Sequence, residues 1–205
     1  MNLHNTAEAL AAKQHELDLL VGSRRHGPEF GILYNEVLRL ERTLAQERGE
    51  PHADVFQLGD VWDGMLAYFP TVVGDAFGCS VVFEAKERTA HAVLHFSGVA
   101  GYKQTDVNDE IIEGHPLNGK GLSAWGSFVV KNSPWIQELE AVDRVHPQHD
   151  PDRWRKSQHY LLSFKDQMFE AIAQDLQQVG VFATEDEALA QALSLLNSRR
   201  HRPRP

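Results

Sequence analysis

Apolar residues recur at helical intervals near both ends of the chain and alternate with polar ones through its middle. Leu10, Leu17 and Leu20 fall on one stripe of a helix running to about residue 20, with Ala7, Ala9, Ala11 and Ala12 adding propensity and Thr6 as the expected cap. "GSRRHGP" interrupts that pattern. Pro28 then suits a first helical turn, and Phe30, Leu33, Tyr34, Val37, Leu40, Glu41 and Leu44 keep the helical period until Gly49 and Pro51. Residues 1–50 are therefore expected as a helical hairpin, read first as a cover for the core and second as a dimerisation arm. At the other end, "TEDEALAQALSLLNS" sets Thr184 and Glu187 at the capping-box spacing and repeats Leu189, Leu193 and Leu196. Residues 183–205 read as a C-terminal helix followed by the basic tail "RRHRPRP".

Between these ends, residues 51–182 change period and predict an α+β core. "VFQLG", "CSVVFEA", "AHAVLHFSGV" and "SAWGSFVV" read as strands, and the polar "EAKERTA" joins the second and third as antiparallel neighbours. "VWDGMLAYFPTVVGDAFG" has no clean period and is read as a short helix followed by a loop. "NSPWIQELEAVDRV" predicts a helix with Asn132 or Ser133 as cap and Pro134 in its first turn. In "HYLLSFKDQMFEAIAQDL", a turn at Asp166-Gln167 would pair Phe164 with Phe169 and Leu162 with Ala171, with Ser163 opposite Glu170 on the other face; a helix over residues 167–178 is the competing reading. The whole reads as α+β, a central and mostly antiparallel sheet with helices at the N- and C-terminal ends.

Composition narrows the function classes. The 205 residues carry 20 basic and 29 acidic side chains, a formal net charge of -9, which gives nucleic-acid or anionic-membrane binding no electrostatic footing. The longest apolar run, "MLAYFPTVV", is far short of the roughly 18 residues of a membrane span. The start lacks a signal-peptide pattern, so a cytoplasmic protein is expected. The single Cys79 lies in a strand-like run and reads as a buried thiol, and no cofactor is expected.

Three groups of residues could carry chemistry. In "NDEIIEGHPLNGKGL", Asp109, Glu110 and His115 bring carboxylates beside an imidazole, the minimum for acid/base work. In "HPQHDPDRWRKSQHY", His146, His149 and His159 are candidate metal ligands, with Asp150 or Asp152 to complete or orient the set, although a polar connector is the first reading. The aromatics Trp62, Tyr68, Trp125 and Trp154 are the candidate binding residues, as residue types favoured at interfaces. His91 and His95, four apart on a probable strand, share a face. "GKGLS" lacks the spacing and the Ser/Thr of a phosphate loop.

Residues from about Gly59 to Leu176, through "NDEIIEGHPLNGKGL", "VVKNSPWIQELEAVDRVHPQHD" and "HYLLSFKDQMFEAIA", resemble an uncharacterised family of soluble bacterial proteins. That resemblance implies no activity for any residue. The sequence is best read as a non-enzymatic protein- or ligand-binding module with an acidic surface, with a protein partner or a homodimer as the expected association. The alternative is a metal-assisted or acid/base hydrolase built from the His/Asp/Glu cluster. The reading that separates them is spatial: whether "NDEIIEGH" comes to lie beside the other histidines.

Overall fold

Strict alternation of side-chain direction builds the centre of the molecule. In the computed structural model, which describes residues 3–23, 27–86 and 88–200 with side chains except at residues 60 and 198–200, nine strands form two antiparallel sheets. The first holds β1 (His52–Val55), β6 (Ser127–Lys131), β7 (Gln158–Ser163), β8 (Met168–Ala173) and β5 (Gly101–Thr105), in that spatial order. The second holds β2 (Thr71–Gly74), β3 (Gly78–Glu84), β4 (His91–Ser97) and β9 (Asp175–Phe182), also in spatial order. The fold is α+β with helices at both ends, and its strands are divided between two sheets rather than gathered in one.

The sheets meet face to face. Val81, Phe83, Leu94 and Phe96 from the second pack with Tyr160, Leu162, Phe169 and Ala171 from the first in one buried cluster. Because side chains alternate along a strand, the intervening residues of the first sheet must point away from this core. Phe128, Val130, Leu161 and Met168 do so, and they are covered by Leu117 and Leu122 from the segment between β5 and β6. His159 and Glu170 share this outer face.

Helices close the remaining surfaces. α1 (Leu3–Gly22) packs on α2 (Pro28–Glu47) through Leu10 against Val37, Leu40 and Leu44. Thr6 is not the cap of α1: it lies within the helix and is buried. Glu41 on α2 accepts a hydrogen bond from Gly121 N–H at 3.3 Å, tying the hairpin to the covering segment. Gly121 needs to be glycine, since its φ is +86° and a Cβ there would collide with Arg42 and the Ala53 carbonyl. α5 (Glu185–Arg200) lays Ala188 and Ala192 on Val82 and Val93 of the second sheet. Thr184 accepts from Glu187 N–H, and the Glu187 carboxylate accepts from Ala183 N–H, so the capping-box spacing is used. The basic tail beyond residue 200 lies outside the described residues.

Several local expectations shift. Residues 168–173 and 175–182 are strands, not a helix. The β7–β8 hairpin forms, but Leu162 pairs with Phe169 and Ser163 with Met168, two positions from the expected register. The cause is a four-residue connection: Phe164 N–H bonds to the Gln167 carbonyl, and the Phe164 ring turns into the core instead of pairing. The "VWDGMLAYFPTVVGDAFG" stretch holds β2 after a short 3-10 turn at Gly59–Val61. β1 overlaps the "VFQLG" run only at Val55, and β6 begins only at Ser127, because Trp125 takes a left-handed φ of 60°. Within the histidine-rich connector a short helix, α4 (Pro151–Lys156), starts with the Asp150 side chain accepting from Asp152 N–H. Among the described residues, no helix is long and apolar enough to cross a membrane.

Candidate functional site

The outer face of the first sheet carries the unusual chemistry. β7 contributes His159 and β8 contributes Glu170, both about 95% buried. An isolated charge in that position would be costly, so partners are required. Glu170 Oε2 sits 2.8 Å from His159 Nε2, and Glu170 Oε1 sits 2.9 Å from the ammonium of Lys103, its cross-strand neighbour on β5. On its other side, His159 Nδ1 is 2.8 Å from Ser133 Oγ. Ser133 arrives there because Asn132, at φ 50°, turns the chain from β6 into α3 (Pro134–Asp143). Its Oγ also accepts the Ile136 N–H and so caps that helix.

Proton positions follow from this chain. Burial alone would raise the Glu170 carboxyl, but the hydrogen bonds and charges of His159 and Lys103 outweigh it and hold the group below the usual carboxylate range. Glu170 is thus an ionised acceptor. His159 Nε2 donates to it, and in the neutral ring Nδ1 accepts from the Ser133 hydroxyl. Trp135, from the first turn of α3, meets the His159 ring edge to face at 5.3 Å between centroids and lies under Lys103 Nζ at 4.8 Å.

A cavity of about 320 Å³ opens against this chain. Lys103, His159 and Glu170 line one side, and Val107, Leu117, Val130 and Trp135 give it apolar walls. His115 completes it. The 3-10 turn Ile112–Gly114 delivers His115, whose Nδ1 accepts the Leu117 N–H at 3.2 Å. Burial in the cavity wall lowers the His115 imidazole below its ordinary value; Glu170 opposes that shift, while Lys103 and His159 reinforce it. A volume of this size, mostly apolar with a few convergent polar groups, suits a small ligand.

The structure therefore brings one sequence-chosen residue from each histidine-bearing stretch together, His115 and His159. It leaves the others elsewhere. Asp109 is half-buried beside the groove formed with α1 and α2, and Glu110 is exposed. His146 is exposed, with its Nδ1 accepting the Gln148 N–H. His149 Nδ1 sits 2.9 Å from Asp143, which also accepts the Trp154 indole N–H at 2.7 Å. That trio ties α3 to α4, so Trp154 is a buried structural residue with little face to offer. Trp62 packs edge-on against Phe83 and Phe164. Tyr68 and Trp125 remain on the surface, with Lys165 over the Tyr68 ring. His95 is buried and bonded to Ser80, whereas His91 is half-buried beside Glu84. Cys79 is fully buried, and its thiol is pushed up to about 12. Among the described residues, no three His, Cys, Asp or Glu side chains are gathered as a metal site requires.

Lys103 and Glu170 were not singled out as site residues by sequence, and Ser133 was noted only as one of two possible caps of α3. One signal was present: Glu170 stands alone among apolar residues in "MFEAIA", and strand alternation places it on the face of His159. A lone acid in a buried strand asks for a cation or a donor. Comparison with known proteins adds nothing to this geometry: no protein-family model matches the chain, and neither the curated proteins nor the solved structures include a match.

Proposed function

We propose that this protein is a binding module for a small ligand, held in the cavity between His115, Lys103 and Trp135. The observation that carries this reading is the union of an apolar-walled cavity of about 320 Å³ with a continuous Lys103–Glu170–His159–Ser133 hydrogen-bonded chain whose first three members line it. Such a chain fixes side chains in place before a ligand arrives, which lowers the ordering cost of binding.

The test uses a library of one-ring compounds, followed through the imidazole resonances of His115 and His159 and the indole of Trp135. At least one compound is expected to shift these signals saturably. Val107→Trp, which fills the cavity from a half-buried position that also packs on the Leu117 and Leu122 cluster, should abolish the response in a protein that still unfolds cooperatively. Binding that survives Val107→Trp, or a library that moves none of these resonances, would remove the reading.

A second reading, an acid/base hydrolase, is favoured by one observation. Ser133, His159 and Glu170 are connected as a nucleophile, its base and the group that orients the base. Against it, Ser133 is 4% exposed and its oxygen already caps α3. It also borders the neighbouring hollow rather than the His115 cavity. A fluorophosphonate is therefore expected to leave Ser133 unlabelled in intact-mass and peptide analysis. A stoichiometric adduct on Ser133 would reverse the order of the two readings.

A further inference from the structure

We propose that the ligand of this cavity is a compact monocarboxylate with an apolar, ring-sized body, its two oxygens taken by Lys103 Nζ and His115 Nε2; this rests on the small-ligand reading of the same cavity. The hydrogen-bonding groups of the lining point this way when each is followed to its partner. Both Glu170 oxygens are engaged, by Lys103 and His159, and the side chain is 5% exposed. His159 has both ring nitrogens engaged. The acceptors are thus already served.

The donors are not. Lys103 has three N–H groups; one goes to Glu170 and another faces the Trp135 ring, which leaves the third for a ligand. Its side chain is 46% exposed and so reachable. His115 spends Nδ1 as an acceptor for Leu117 N–H, so the neutral ring carries its proton on Nε2, the nitrogen left for the cavity it lines. Lys120, another lining residue, has only Glu50 as an ion-pair partner among the described residues, at 3.5 Å. A cavity whose spare capacity is donation calls for an acceptor, and a charged acceptor makes the stronger bonds.

Charge sets the number of negative charges. Glu170 lies beside Lys103 and is ionised, so a dianion such as a phosphate monoester would meet about twice the repulsion that a single carboxylate meets. Two donors also match two carboxylate oxygens. The walls of Val107, Leu117, Val130 and Trp135 supply apolar contact for one ring and little for a polar chain.

The experiment titrates the full chain with phenylacetate, phenylacetamide, phenethylamine and phenyl phosphate, read by calorimetry and by the His115 resonances. Phenylacetate is expected to bind about tenfold or more tighter than the amide, as charge-assisted hydrogen bonds predict. His115→Asn keeps an acceptor for Leu117 N–H and removes the Nε2 donor; it should cost most of that preference, and Lys103→Gln all of it. Burial suppresses the ionisation of His115 in the empty cavity; of the charged and titratable groups facing it, Lys103 and His159 reinforce that and Glu170 opposes it, and a bound anion would favour the charged ring. Phenylacetate affinity should accordingly rise as pH falls from 7.5 to 5.5, and this rise should vanish in His115→Asn. Equal affinity for phenylacetamide, sensitive to Val107→Trp, would overturn the carboxylate and leave the cavity reading intact. Tighter binding of phenyl phosphate would also overturn it. Failure of phenylacetate to bind the folded protein would overturn the carboxylate, and the cavity reading falls as well if the wider one-ring library also moves none of the resonances.

Discussion

Glu170→Ala is expected to lower the free energy of unfolding by about 3–5 kcal/mol, the usual cost of removing one partner from a buried ionic pair. The residue is 4% exposed, and its loss strands His159 against Ser133 with no acceptor for Nε2. Lys103 adds less, because a half-exposed ammonium can turn to water. Glu170→Gln should cost less, about 1–3 kcal/mol, since its one carbonyl oxygen can serve His159 while Lys103 swings outward. Urea unfolding followed by circular dichroism measures both. If Glu170→Ala costs under about 1 kcal/mol, the chain is not a buried ionic unit.

Acid has a defined direction here. The Glu170 carboxyl is held below its ordinary value in the folded protein, so the unfolded chain binds a proton before the folded one does as pH falls. Its contribution is complete above the unfolded carboxylate range and is lost as pH drops through the lower folded value. Stability should therefore fall on acidification below about pH 4.5, a typical carboxylate value, and Glu170→Gln should flatten that part of the curve. Glu170→Leu combined with His159→Leu should recover much of the single-variant loss, since apolar residues need no partner.

What could be read from sequence divides along a physical line. The strands found in advance, β3, β4, β6, β7 and β8, are interior to their sheets and heavily buried, so their apolar content announces them. The four that were missed or misplaced are β1, β2, β5 and β9, all edge strands. An edge strand bonds to one neighbour and leaves side chains in water: "GYKQT" and "DLQQVGVF" carry too little apolar signal to be told from loop. Helices were clearer because caps and a 3.6 period are local. Ser133, Pro134 and the Thr184–Glu187 pair all serve as their types suggest.

The site was half legible for a related reason. His115 and His159 attracted notice as imidazoles, but their adjacency depends on the covering segment folding over the outer face of the sheet, a contact between residues 44 apart in sequence. Local clustering misled in the connector. His146, His149 and Asp150 are close in sequence because they build the α3–α4 junction, where His149 and Trp154 share Asp143 and Asp150 caps α4. Density of polar residues there reflects turn and cap chemistry. A single acid in an apolar strand was the better indicator.

Phe164→Ala should cost about 3–5 kcal/mol, as for other fully buried aromatic truncations. On its face the residue belongs to a hairpin loop, where such a change would ordinarily be mild. Here the ring is completely buried and meets Trp62 at 4.9 Å and Phe83 at 5.7 Å between centroids, joining the segment before β2 to both sheets. The four-residue β7–β8 connection exists to turn it inward, which is also why the hairpin register stands two positions from the simple turn. Trp62, an interface candidate by residue type, is the natural reporter, because the truncation leaves a cavity against its indole. Its emission should shift to longer wavelength in the folded variant, while Phe69→Ala, at an aromatic 71% exposed nearby in sequence, should change neither stability nor emission appreciably. Equal effects from the two substitutions would mean that the Trp62, Phe83 and Phe164 cluster does not hold the sheets together. Unequal effects in the expected order would locate the stabilising aromatic mass between the sheets, and leave Phe69 as a surface aromatic with no share in the fold.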